Sequence, residues 1–312
     1  MDKRDEQALT AAKLYYSSGL SQLEVAEEMG VSRPTVAKLL QHARERNFVS
    51  IEVHDPREVS GGLGRSLEDR FSLSSARVVD VPRGGTEELL AELGRGGAAL
   101  LGELVQDGDL VGVSWGNTMY ALARALPHRP HRGVEIVQLK GGLSHNERSA
   151  NDIETINLFC QAFDAFARTL PLPVIFDNAE TKHVVEQDRH IAHVLELGRC
   201  TDIAVFTVGA ANRDSLPLTM GYLDETEIEL IAKRAVGDTC SRFFDASGQI
   251  AAPEVDARTV GITLADLQSR PKRLLIAGGL NKAEAILTAL KMGLATHLVV
   301  DKPTAARILE AG

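Results

Sequence analysis

Four glycine-bearing segments hold the residues of this chain that could do chemistry. They are SWGNT at 114–118, QLKGG at 138–142, TVGAA at 207–211 and AGGLNK at 277–282. In SWGNT, Gly116 lets backbone approach a ligand closely, and Asn117, Thr118 and the free amides that open a helix can hold an anion. In QLKGG, Lys140 ends a buried run and is followed by Gly141 and Gly142. A lysine there faces either solvent or a ligand cavity. In a cavity it would pair with a phosphate, or lose its proton through desolvation and condense with an aldehyde. In AGGLNK, Gly278 and Gly279 precede Lys282, which falls in the first turn of an expected helix. The helix dipole favours anions at that end, so a cation placed there implies an anion bound jointly with the amides. Gly209 in TVGAA offers one more close approach.

These segments sit where apolar runs give way to helical ones. Strands are expected at 77–81, 110–114, 134–139, 173–176, 203–208, 273–277 and 297–300. Helices are expected at 87–105, 117–126, 153–169, 225–235, 282–292 and 304–310, with Asp224 and Glu227 as a capping box. Strand–helix alternation over 56–312 predicts a large, doubly wound, mostly parallel α/β domain. Ligands of such sheets bind past the carboxyl ends of the strands. Residues 54–64, HDPREVSGGLG, read as a hinge.

Residues 1–55 follow a different pattern. The stretch SQLEVAEEMGVSRPTVAKLLQHARE, from Ser21 to Glu45, reads as a helix-turn-helix. Ser21 and Glu24 can cap the first helix reciprocally, with Leu23, Ala26 and Met29 on its buried face. Gly30 supplies the left-handed exit, Val31 fills the corner, and Ser32 caps the second helix, where Pro34 is tolerated in the first turn. Val36, Leu39, Leu40 and Ala43 form the second buried stripe. A helix over 6–17 completes the core, and 48–53 could form a small wing. Arg33 and Thr35 are the expected base readers, with Gln41 or His42 also outward. Lys38 and Arg44 are the expected phosphate contacts, and Ser32 lies at the same end. Charge follows this division. Residues 32–46 carry four basic side chains and one acid, net +3, whereas 1–28 carry three and six, net −3.

The whole chain of 312 residues has a net charge of −9, which excludes a general nucleic-acid coat and makes DNA binding local and salt-sensitive. Cys160, Cys200 and Cys240 form no CxxC pair and fit a reducing, cytoplasmic setting as small buried hydrophobes. No signal peptide or long apolar run is present in the sequence, so no membrane span is expected. The histidines, including His190 and His193, lack the partners of a metal site. No Walker A, GxSxG, HExxH or GxGxxG motif occurs.

The helix-turn-helix, GVSWGNT, QLKGG, LDETEIELI, the GD…FFDASGQ stretch at 237–249 and the closing AGGLNKAEAILTALKMGLATHLVVD together resemble the SorC family of bacterial sugar-responsive transcriptional regulators. The resemblance covers nearly the whole chain. It implies an effector domain similar to phosphosugar isomerases, a homodimer or homotetramer, double-stranded operator DNA as partner, and a phosphorylated sugar as effector. Lys140 is similar to the ligand-site lysine of members that respond to deoxyribose 5-phosphate, where it can form a Schiff base. Gly116, Asn117, Thr118 and Lys282 then become sugar or phosphate contacts. A repressor without catalytic residues is the expected function. The alternative is a phosphosugar isomerase or aldolase-like enzyme, which would have no use for a helix-turn-helix. Asp152, Asp245 and Asp301 are the acids available to pair with Lys140.

Overall fold

Caps decide where the N-terminal helices begin. In the computed structural model, which describes residues 3–46, 48–49, 62–81, 85–142 and 151–312, Ser21 and Glu24 form the reciprocal capping box. It opens α2 (Gln22–Met29), which ends on Gly30 at φ 64°. Ser32 caps α3 (Arg33–Glu45). The preceding helix, α1 (Lys3–Ala12), runs on as a π-helical turn to Ser17. The core is small: Ala8, Ala11 and Ala12 meet Val25, Ala26, Val36, Leu39, Leu40 and Ala43.

Leu23 departs from expectation and is 59% exposed. At about 100° per residue, Val25, Ala26 and Met29 fall within one arc, and Leu23 lies outside it. The expected wing lies for the most part outside the described residues, as does the hinge up to position 61. The chain divides into two compact units, Met1–Asp55 and Pro56–Gly312.

Among the described residues the second unit holds ten strands. They are β1 (Ser75–Val79), β2 (Leu110–Val113), β3 (Glu135–Gln138), β4 (Phe166–Arg168), β5 (Ile203–Phe206), β6 (Val208–Ala210), β7 (Gly237–Thr239), β8 (Arg242–Phe244), β9 (Lys272–Ile276) and β10 (His297–Asp301). Seven form one sheet in the order β1-β10-β9-β5-β2-β3-β4, parallel at every pairing. The other three form an antiparallel sheet, β6-β7-β8.

Helices cover both faces of the large sheet, and alternation along the strands proves it. Ala204, Phe206, Leu275 and Leu298 pack with α4 (Gly62–Phe71), α14 (Ala283–Lys291) and α15 (Lys302–Ala311). Ile203, Val205, Leu274 and Val299 pack instead with α5 (Thr86–Leu104), α6 (Asn117–Ala125) and α7 (Asp152–Phe163). The doubly wound parallel architecture expected from the sequence is therefore present. The remaining helices are α8 (Ala179–Glu186), α9 (Arg189–Arg199), α10 (Leu216–Thr219), α11 (Glu225–Arg234), α12 (Pro253–Ala257) and α13 (Leu264–Gln268).

Three local expectations are corrected. The helix expected to reach 169 stops at Phe163, because Asp164 takes the left-handed conformation at φ 53°. The chain then forms edge strand β4, whose three side chains are all exposed, so no apolar pattern marked it. Residues 173–176 make only a single bridge, Ile175 to Thr259. The run at 203–208 breaks at Thr207, where the chain leaves the large sheet for the small one.

Because the Ser32 hydroxyl accepts the Thr35 amide, Ser32→Ala should destabilise α3 by about 1 kcal/mol. Amide exchange at the start of α3 should then quicken about fivefold, while the large sheet keeps its protection.

Candidate functional site

The exposed face of α3 sorts its polar residues by what they already hold. Arg33, Thr35, Lys38, Gln41 and Arg44 are exposed. Ser32 is committed to its cap, where its hydroxyl lies 2.8 Å from that of Thr35. Gln41 donates to Glu45 at 2.9 Å. His42 is corrected as a DNA contact. Its Nε2 lies 2.8 Å from the carboxylate of buried Asp5, which Arg46 also reaches at 3.1 Å. Those two bonds hold the Asp5 carboxyl below its usual range, the His42 bond being the stronger cause. A groove of about 420 Å³ runs beside Thr35 and Lys38, and its other wall is Lys3, Arg4 and Gln7 of α1. Lys3 and Arg4 were not singled out in the sequence, since they sit far from the helix-turn-helix in an acidic stretch.

The second unit holds a cavity of about 470 Å³ past the carboxyl ends of β9, β5, β2 and β3. The order of strand addition reverses here: β2, β3 and β4 succeed one another toward one edge of the sheet, and β5, β9 and β10 toward the other, all of them parallel. Lys140, Gly116, Asn117, Thr118, Gly209 and Lys282 all line it. Gly116 is at φ 137° and opens α6, so the first amides of that helix face the space.

Lys140 is 5% exposed. Its Nζ donates to the Ser241 hydroxyl at 3.3 Å and stands 3.8 Å from the centre of the Trp115 ring. Trp115 is fixed by its own indole N–H, which donates to the Gly141 carbonyl at 2.8 Å. Burial pulls the Lys140 ammonium below the ordinary lysine value, against the opposing charges of Asp238, Cys240 and Asp152.

Asp238 and Cys240 also line the cavity. Neither is expected in the site from the sequence: Asp238 enters only as the GD of the 237–249 stretch, and Cys240 only as a small buried hydrophobe, which it also is. Asp152, Asp245 and Asp301 do not line it. Asp245 holds the turn at Ser247, and Asp301 caps α15 and accepts the Gly279 amide at 2.7 Å. Asp152 packs where a Cβ on Gly142 would lie.

Asp238 is 5% exposed and accepts the Ser241 amide at 3.2 Å. Burial raises its carboxyl, while Lys140, the Ser241 amide and Lys282 oppose that rise. Burial likewise pushes the Cys240 thiol up to about 11. Of the other cysteines, Cys200 is exposed, contrary to expectation, because it follows α9 at the surface. Lys282 is partly buried and lowered by burial, with Asp238 opposing.

The hairpin carrying these groups is strained. Its two-residue turn places Cys240 at φ 51° and Ser241 at φ 62°, where Asn or Gly is the usual choice. Each such residue costs roughly 1–3 kcal/mol. Arg242 anchors it with all of its guanidinium nitrogens, donating to Ile262, Asp256, Thr259 and Gly261. Gly261 in turn bridges the backbone of Lys140.

Four expected ligand glycines serve the frame instead and do not line the cavity. A Cβ on Gly141 would strike the carbonyls of Leu172 and Pro173, and Gly142 abuts Asp152 and Gln138. Gly278 abuts Asp301, and Gly279 gives its amide to Asp301 and Thr304. Gly209 has a double role, since it lines the cavity and leaves room for the Asp238 carboxylate. Three hydroxyls on the cavity wall, Ser114, Thr207 and Ser215, are buried with no hydrogen-bond partner among the described residues. Unpaired buried hydroxyls are costly, and they mark where a polar ligand would bind.

The family described as "Putative sugar-binding domain" matches residues 58–310. The Deoxyribonucleoside regulator of Bacillus subtilis (strain 168) is 45% identical over 310 residues, covering 99% of each chain. The Sorbitol operon regulator of Klebsiella pneumoniae is 30% identical over 302 residues, 96% of each chain. This chain belongs to the SorC-type transcriptional regulators. The full-length crystal structure of SorC from Klebsiella pneumoniae superposes on it with a TM-score of 0.80 at 28% identity, covering 99% of both chains. A domain of a possible sugar-binding regulator from Arthrobacter aurescens TC1 does so at 0.74 and 27%, covering 82% of this chain and 100% of that one. The resemblance read from the motifs is thus correct at the level of the family. No helix among the described residues of this SorC-type chain is long and apolar enough to cross a membrane.

Because folding lowers the Lys140 value, the unfolded chain holds that proton more tightly, and stability rises with pH between the folded value and the ordinary 10.5. Lys140→Met should therefore melt higher than the parent at neutral pH. The gap should narrow as the pH rises toward 10.5 and change little above it, which thermal melts at neutral pH and near pH 10.5 would check.

Proposed function

We propose that this SorC-type regulator is a repressor whose grip on operator DNA is set by a phosphorylated aldose, most simply deoxyribose 5-phosphate. One observation carries the reading: a lysine buried against an indole ring shares its cavity with a helix N-terminus, a second lysine and three unpaired hydroxyls. The amides of Asn117 and Thr118 and the Lys282 ammonium take the phosphate. The open-chain aldehyde meets Lys140 and forms a Schiff base. An identity of 45% to a deoxyribonucleoside regulator favours a deoxyribose ester over other aldose phosphates.

In the N-terminal unit, Arg33 and Thr35 read base edges in the major groove. Lys38 and Arg44 meet phosphates, joined by Lys3 and Arg4 across the groove from Lys38. Two or four subunits present paired α3 helices to a repeated operator. The sugar favours an arrangement whose spacing no longer matches the half-sites.

An operator selected from random duplexes, bound with and without deoxyribose 5-phosphate, tests the switch. A loss of affinity with the sugar is expected. Equal binding with that sugar and with other sugar phosphates would sink the reading, and turnover of the sugar would replace it with an enzymatic one. Borohydride reduction with deoxyribose 5-phosphate should leave an adduct on Lys140, located by mass spectrometry. For the duplex, Lys3→Ala with Arg4→Ala should weaken all sequences alike and flatten the log–log salt dependence by about two units.

A further inference from the structure

A lysine in a cavity explains where an imine forms but leaves open how the water departs. Attack of neutral Nζ on an aldehyde carbon makes the C–N bond and sends the carbonyl pair to oxygen, giving a carbinolamine. Its hydroxyl is a poor leaving group until it is protonated. The donor has to reach that oxygen beside a lysine that is itself buried.

We propose that Asp238 is the acid that protonates the carbinolamine hydroxyl at Lys140, and so drives imine formation with the aldehyde of a sugar phosphate. The proposal rests on the Schiff-base reading above and adds a residue to it. Three placements support it. Asp238 and Lys140 line the same cavity. Ser241 links them, its amide donating to the Asp238 carboxylate at 3.2 Å and its hydroxyl accepting from Lys140 Nζ at 3.3 Å. The hairpin turn that builds this link is held in the left-handed conformation at both positions, and Gly209 on the neighbouring strand lacks the Cβ that would strike the carboxylate.

The proton count closes within the site. The ammonium–carboxylate pair passes one proton across to become amine and carboxylic acid. The amine attacks, and its surplus proton goes to the alkoxide. The C–O bond then breaks with its pair leaving on oxygen, and Asp238 supplies the second proton of the departing water. What remains is an iminium beside a carboxylate, the same net charge as at the start. Burial favours the neutral pair, because it lowers the lysine and raises the carboxyl. The groups facing Asp238 are Lys140, Cys240 and Lys282, and Asp152 also acts on Lys140. Cys240 does not compete as a nucleophile, since its thiol stays protonated up to about 11. Asp301 is committed to a cap and to the Gly279 amide, Asp245 to a turn, and Asp152, though its charge acts on Lys140, stands against Gly142 and does not line the cavity.

The test is the rate of adduct formation on Lys140, with deoxyribose 5-phosphate and cyanoborohydride on the full chain, followed by mass spectrometry across a pH series. The parent should give a bell-shaped profile, its alkaline limb set by loss of the acid. Asp238→Asn should slow the adduct by about 10²- to 10⁴-fold and erase that limb, and Asp238→Glu should restore part of the rate. Inorganic phosphate, whose binding needs no acid, should bind more tightly in Asp238→Asn, because a negative charge acting on the two lysines is gone. An adduct in Asp238→Asn at the parent rate would overturn the proposal. If the variant fails to fold, a parent profile with no alkaline limb overturns it as well. Absence of any adduct in the parent is a different outcome, since it removes the Schiff-base reading itself.

Discussion

The cavity of the second unit turns on keeping one ammonium-bearing side chain out of water. An isolated buried cation is among the most costly things a fold can contain, so its surroundings must be supplied in advance. Lys140 receives an aromatic face from Trp115, a hydroxyl from Ser241 and an opposing carboxyl from Asp238. None of these is adjacent in sequence, and each is itself fixed. Trp115 is tied to Gly141, Ser241 to Asp238, and the hairpin to Arg242. Removing water from the amine raises its neutral fraction, and that is the condition for nucleophilic chemistry near neutral pH.

The cost shows up in the backbone. Two successive left-handed residues, neither of them glycine, are retained where Asn-Gly would be easier. Their side chains explain this: glycine at 241 would leave Lys140 without its hydroxyl partner. Arg242, directly after the turn, spends its whole hydrogen-bonding capacity on the 256–262 segment. Because Gly261 of that segment bridges the Lys140 backbone, the strained turn and the lysine are held by one network.

How much of this could be read beforehand depends on whether the signal was local. Caps are local, so Ser21 with Glu24, Ser32, and Asp224 with Glu227 act as the sequence implies. Fully buried parallel strands are continuous apolar runs, so β2, β5, β9 and β10 were found within a few residues. Lys140 stood out because a cation ended such a run. Asp238 did not, since its strand of three residues reads GDT and carries no apolar signature. Its role comes from pairing with Gly209 and from proximity to a lysine almost a hundred positions away. Glycines misled for a related reason. Gly141, Gly142, Gly278 and Gly279 look like ligand cradles, yet neighbouring carbonyls and carboxylates fill the space beside them. A glycine shows that something comes close and not what it is.

Charge fixes what the cavity can hold. Lys140 and Lys282 bring two positive charges against the single carboxylate of Asp238. A neutral sugar would leave that surplus of one unmatched, whereas a phosphate ester brings negative charge that the surplus and the N-terminus of α6 can share. The proposed imine would keep the positive charge on Lys140, so the charge balance with the ester would be the same after the covalent step. A ligand lacking either the phosphate or the aldehyde satisfies only half of the site. Selectivity then follows from leaving a charge or a hydroxyl unpaired, which discriminates more strongly than shape alone. Whatever couples this cavity to the N-terminal unit can draw only on that difference in binding free energy between the two arrangements.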